Sequence, residues 1–387
     1  MLISADRNRP IVEGEALIQD ILPLIALLSL PIVVYVVMRA TKRQSERVEA
    51  TPIYLILRTK ALNRFLVDAP KNHPRITKVM SHILLAVYPG LVLLFFALFG
   101  SNLINLIRRP TEASQVSLVI PGLTIGLSDA PYLIVALFVA IVVHEFSHAI
   151  IGSSQGIPIK SVGVGIFLSL GFALVEFNEE GFKGAERGSK IRAVAAGPAA
   201  NVILAAAIVL FFYIGLAGTA GGITVLTTSM PASAYIQPFN VIVKINETVI
   251  TSDQVFKAYM TTVRPGQLLI VHTFEGIFSI RAGTNPSNSS RGFLGVSASD
   301  YFPRLGFLGA KSSYYLIFLM NWMNVVNMSL AVLNVAPVAP LDGGKIIDEV
   351  LSGRNASFVG AVKVVIFSMT AVILLGNFVL SFYRFGL

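Results

Sequence analysis

Residues 131–150 read PYLIVALFVAIVVHEFSHAI, an apolar run of membrane-span length whose final third carries a glutamate and two histidines. An ionisable group inside a span costs about 2.5–3.5 kcal/mol on insertion scales, so three of them on one apolar helix need a compensating reason. Residues four apart lie one above the other on a helix. His144 and His148 can therefore hold one metal ion with Glu145 beside it. This is the HExxH arrangement, in which two imidazoles bind zinc and the glutamate serves as general base.

Outward from that stretch, the rest of the chain is equally apolar. Its 387 residues are 54% hydrophobic and 13% charged, with a mean hydropathy of +0.73; soluble domains carry about 25% charged residues. Runs of about 20 apolar residues are long enough to cross a bilayer. They are read at 21–38, 83–107, 131–151, 193–218, 312–341 and 364–383, which makes six expected spans. The net charge of +9 collects beside these spans, with ten Lys and Arg between Arg39 and Lys78, so the expected partner is membrane lipid and not nucleic acid. The positive-inside rule places that basic loop in the cytoplasm. Both termini and the region 219–310 are then expected outside, and the histidine end of the third span faces the cytoplasm. Asp6, Glu13, Glu15 and Asp20 precede the first run where a signal peptide has basic residues, so a retained helix is expected. The absence of cysteine excludes disulfides and thiolate metal sites.

Four regions follow: two amino-terminal spans with a basic loop at 39–80 (1–130), a first catalytic half (131–218), an external module (219–300), and a second half (301–387). In the module, VIVKINETVI alternates at period two, DQVFKAYMTTV has helical spacing, and LLIVHTF and IFSIRA are strand candidates, which predicts a small α+β fold. GTNPSNSSRG, at 283–292, is expected to be a loop. VGVGIFLSLGFALVEF, at 162–177, is too short to span and is broken by Gly163, Gly165 and Gly171, which suits a re-entrant hairpin.

Catalytic zinc takes three protein ligands and keeps an open position. His73 and His82 flank the basic loop and His272 lies in a predicted strand, so none has the context of a ligand. Asp342 follows a charge-free stretch reaching back to Lys311, in NVAPVAPLDGGK, where Pro337 and Pro340 break the helix. Glu176, Glu179 and Glu180 are the glutamates after residue 148 that a related HExxH protease could use instead.

HEFSH on one span, AAGPAANVI on the next, a small module, then a span closing in NVAPVAPLDGG: in that order, over residues 130–350, the chain resembles the site-2 protease family of intramembrane zinc metalloproteases. The resemblance implies one zinc held by His144, His148 and Asp342, with Glu145 as base and Asn201 facing the active site. It implies that Asn334 and Asn327 hold an extended substrate, and that the hairpin with Gly163 and Gly165 pairs with it. The module resembles a PDZ domain through SMPASAYIQPFNVIVKINETVI and RPGQLLIVHTF. Implied partners are transmembrane proteins first trimmed by another protease, in a prokaryotic plasma membrane. The expected fold is thus an α-helical integral membrane protein of six transmembrane helices with a re-entrant β-hairpin and a PDZ-like external domain. A catalytically idle scaffold or a metal-handling transporter is the alternative; a transporter would carry more acids on different spans.

Overall fold

Apolar sequence of this length forms helices because a membrane offers backbone groups no partners, so each segment must satisfy its own. The computed structural model describes residues 29, 32–41, 47–109, 111–117, 119, 124–167, 170–216 and 218–386. Its helices are α1 (Asn63–Asn72), α2 (Pro74–Arg108), α3 (Ala130–Ser154), α4 (Glu179–Gly184), α5 (Arg187–Leu210), α6 (Asp253–Met260), α7 (Ala310–Asn334), α8 (Asp342–Leu351) and α9 (Ala356–Phe385). Among the described residues five, α2, α3, α5, α7 and α9, are long and apolar enough to cross a membrane. Most of the first expected span, 21–38, lies outside the described residues, as do Asp6, Glu13, Glu15 and Asp20; residues 32–40 are helical. The fifth expected span, 312–341, ends early, at Asn334. Pro337 and Pro340 cannot continue the helix. The chain divides into two compact units, Met1–Ala205 with Trp322–Leu387, and Ala206–Asn321.

In the first unit, strands β1 (Val48–Ala50), β2 (Tyr54–Thr59), β3 (Ile159–Phe167) and β4 (Leu170–Phe177) form an antiparallel sheet in that order. The hairpin expected around Gly163 is β3 and β4. The basic region 39–80 is not simply a loop, because it supplies β1, β2 and α1. Tyr54 to Thr59, YLILRT, is rich in strand formers, but its partner lies about a hundred residues away, with Ile56 opposite Gly165 and Arg58 opposite Gly163. Charge ties the sheet across its strands. Arg58 pairs with Glu49 at 2.6 Å and Glu176 at 3.1 Å, the Tyr54 hydroxyl donates to Glu49 and the Ser161 hydroxyl to Glu176. Burial raises the Glu176 pKa, but the bonds from Ser161 and Arg58 outweigh it and hold the carboxyl below its ordinary range.

The helices pack through two buried clusters. Tyr88, Leu91 and Phe95 of α2 meet Val194 and Ala195 of α5, Ala331 and Val332 of α7, and Ile346 of α8. Leu84 of α2 meets Ile151 of α3 with Ala196 and Ala199 of α5. The second expected span is therefore a wall of the catalytic half. An amide clasp joins α2 to α9, where Asn377 donates to the Phe99 carbonyl at 2.7 Å and accepts from Asn102 at 2.8 Å. Such interhelical bonds in membranes average about 0.6 kcal/mol.

In the second unit, β5 (Ile223–Thr228), β6 (Val241–Ile245), β7 (Thr248–Val249), β8 (Leu268–Thr273), β9 (Ile277–Arg281) and β12 (Val296–Asp300) form an antiparallel sheet of order β12-β5-β6-β8-β9, with β7 on β6. Its core includes Ile223, Ile242, Ile245, Leu269, Val271 and Ile280, with Phe256 of α6. Ser252 caps α6 by accepting from the Val255 N–H. The predicted strands and helix are all found. The stretch 283–292 is a correction: it forms a second hairpin, β10 (Gly283–Asn285) and β11 (Asn288–Phe293), turning at Pro286 and Ser287. Turn residues alone read as a loop; the cross-strand pairing makes them a hairpin.

Candidate metal centre

α3, α5 and α8 bring together three donor atoms nearly 200 residues apart in sequence. His144 Nε2 lies 3.0 Å from Asp342 Oδ2, His148 Nε2 lies 3.1 Å from the same oxygen, and the two imidazole nitrogens are 3.1 Å apart. All three side chains are buried, and they form a group with the spacing of metal ligands. The helical period places the two histidines. Asp342 arrives because α7 stops and the chain turns through residues 335–341 before α8 begins. Gly343 and Gly344 serve that turn by close approach and not by a left-handed backbone, since neither has a positive φ. A Cβ on Gly343 would lie 2.2 Å from the Val335 carbonyl oxygen, and one on Gly344 2.7 Å from the Ala339 nitrogen.

Surrounding groups aim these donors. The His148 Nδ1–H donates to the Ala193 carbonyl of α5 at 2.7 Å, which in the neutral ring leaves Nε2 with its lone pair. That lone pair then faces a carboxylate oxygen, acceptor against acceptor, an arrangement that a cation between them turns from repulsive to attractive. Donors 2.0–2.1 Å from one tetrahedral ion lie about 3.3 Å apart, close to the separations found, and two imidazoles with a carboxylate are a donor set that zinc accepts. The residues fit the ion.

The other oxygen of Asp342 accepts from Lys345 Nζ at 2.9 Å. Lys345→Met is expected to weaken zinc binding about tenfold or more, the usual cost of losing a partner behind a ligand. Competition with a chelator measures it; unchanged affinity would show that Oδ1 needs no partner. Sequence reading passed over Lys345, although its position three residues after Asp342 on a helix was a signal.

Glu145 is half-buried beside His144, and its Oε2 accepts from the Val175 N–H of β4 at 2.9 Å. Val175 therefore turns its donor away from β3. Gly163 and Gly165 lie on β3, an inner strand with neighbours on both sides, so their backbones are not at the sheet edge; β4 is. On α5, Gly197 faces both histidines. A Cβ there would stand 2.3 Å from His148 Nε2 and 2.8 Å from His144 Nε2. The sequence marks Gly197 only as a small residue in a helix.

Asn201, one turn beyond Gly197 on the same face of α5, is fully buried, and neither its Nδ2 nor its Oδ1 has a partner among the described residues. Asn327 is fully buried too; its Nδ2 donates to the Met323 carbonyl, while its Oδ1 is unpartnered. Asn334, the last residue of α7, is half-buried. Asn324 donates to the Ala205 carbonyl, joining α7 to α5. Of the alternative ligands, Glu176 is engaged with Arg58 and Ser161 and Glu179 with Lys183, and Glu180 is exposed on α4. His73 lies between α1 and α2, His82 is exposed on α2, and His272 pairs within β8.

The model of Peptidase family M50 matches residues 132–376, well over half of the chain and including every donor above. An uncharacterised protein of Methanocaldococcus jannaschii is 30% identical over 234 residues, which are 59% of this chain and 60% of that protein. The chain thus matches less than two thirds of that relative's length.

Proposed function

Because the chain belongs to peptidase family M50, the site-2 protease family of membrane-embedded zinc metalloproteases, we propose that it is an endoprotease cutting other membrane proteins within or beside their transmembrane helices. The observation that carries this reading is the convergence of His144, His148 and Asp342 within 3.1 Å of one another, buried, with both histidines on a helix apolar enough to cross a membrane. In the proposal these three hold one zinc, which supplies the Lewis acidity that makes water nucleophilic at neutral pH and polarises a carbonyl. Glu145 takes the proton of the attacking water and returns it to the leaving amine. Asn201 has a buried amide with no partner, and an unpaired buried polar group costs about 1–3 kcal/mol. Donating to the scissile carbonyl resolves that cost when substrate is present. Asn327 and Asn334, on α7 upstream of the Asp342 turn, hold the extended chain.

A substrate helix hides its peptide bonds and must unwind, and the unwound segment needs new partners for its backbone. The edge of β4 offers them, by strand addition. A strand arriving there competes for the Val175 N–H, which releases the Glu145 carboxylate as the substrate settles beside it. In this reading the hairpin dips into the membrane, the basic end faces the cytoplasm, and the second unit is a PDZ-like module on the outer side that rejects untrimmed ectodomains.

The test purifies the chain in detergent, measures its metal, and incubates it with single-span substrates whose outer domains are removed. About one zinc per chain and cleavage that chelation stops are the expected results. Full zinc with no cleavage of any substrate would move the idle-scaffold reading to first place.

A further inference from the structure

A polar cavity of about 360 Å³ opens between the first turns of α2, the end of α3 and the start of α5, apart from the metal centre. Its lining includes Lys71, Lys78, His82 and Arg192, and contains no carboxylate. None of the three permanent cations has an acidic partner among the described residues; Arg192 is steadied by the Gln155 amide oxygen at 3.3 Å. The N-terminus of α2 brings the positive end of a helix dipole, offset by the carbonyl ends of α1 and α3 on the same lining, so the side-chain cations set the sign of the cavity. Ser81, also on the lining, is 2% exposed, and its hydroxyl has no hydrogen-bond partner among the described residues. On a lining that carries three unpaired cations, a buried hydroxyl without a partner is a donor that an acceptor oxygen from outside the protein would satisfy.

We infer that this cavity binds a phosphate-bearing group, carried by an anionic lipid headgroup or present as free phosphate. Both sources are reachable. On the outer face of α2, at the level of Lys78 and His82, Ile76, Val79, Met80 and Ile83 are 46–58% exposed, as acyl chains require; the cavity volume also has room for a free phosphate. Arg192 immediately precedes Ala193, whose carbonyl orients His148. An occupant therefore steadies the segment of α5 that aims a ligand, without touching the metal centre.

The test titrates the full chain, in neutral detergent, with inorganic phosphate and separately with the soluble lipid dihexanoyl phosphatidylglycerol, by calorimetry. Saturable binding of at least one is expected, tighter lipid marking the headgroup as the source and tighter phosphate the free ion. Lys78→Gln and Arg192→Gln are each expected to weaken it about tenfold, the loss of one charge-assisted hydrogen bond, while the exposed Lys257→Gln of the other unit leaves it unchanged. Melting temperature and circular dichroism show that the variants are folded, so the result is separate from the protease reading. The inference is overturned if neither probe saturates, or if folded Lys78→Gln and Arg192→Gln bind like wild type.

Discussion

Glu145→Gln is expected to keep about one zinc per chain and to lower the rate of substrate cleavage about 10²–10⁴-fold, the usual contribution of a positioned general base. The substitution is a clean one. Glutamine retains an oxygen that can accept from the Val175 N–H, which Glu145 Oε2 accepts at 2.9 Å, so β4 stays anchored to α3 and only proton transfer is lost. The ligand atoms are on other residues, so metal content reports folding and cleavage reports chemistry. Cleavage at the wild-type rate would remove Glu145 from the mechanism, whatever the metal content. Loss of both zinc and cleavage would instead mean that the Glu145 charge helps hold the ion.

Gly197→Ala is expected to empty the metal site and abolish cleavage, although it adds one methyl group to a helix that alanine favours. The added Cβ would stand 2.3 Å from His148 Nε2 and 2.8 Å from His144 Nε2, inside van der Waals contact and against the atoms that bind the ion. Relief by movement is restricted. His148 is tied to the Ala193 carbonyl on the same helix, and α5 is packed through Val194, Ala195, Ala196 and Ala199. Overpacking of this kind costs about 1–3 kcal/mol, so the helices should remain folded while zinc falls well below one per chain. Wild-type zinc content in the alanine variant would show that α5 shifts outward and that the glycine is only a packing residue.

The metal-ligand pattern and the apolar surroundings are legible in local sequence. His144, Glu145 and His148 are legible because both signals are local: the helical period aligns them, and the insertion cost of three ionisable groups on one span demands a reason. Asp342 is legible as the acid that ends a long charge-free stretch between helix-breaking prolines. The five described helices of membrane length follow from length and apolarity, and β6, β8, β9 and α6 of the second unit from alternation, short apolar runs and helical spacing, whereas β5 and β12 are not read from the sequence. Tertiary structure decided what depends on partners far along the chain. The strands at Val48–Ala50 and Tyr54–Thr59 need β3 about a hundred residues later, and β3 being thereby enclosed is what leaves β4 as the last strand of the sheet. The hairpin at Gly283–Phe293 exists only as a pairing. Gly197, Lys345 and the Val175 N–H matter through contacts with the histidines, Asp342 and Glu145, and nothing in their local sequence states those contacts. Periodicity and transfer cost are properties of a segment, whereas register, close approach and hydrogen-bond partnership are properties of pairs, and pairs are set when the helices and the sheet pack together.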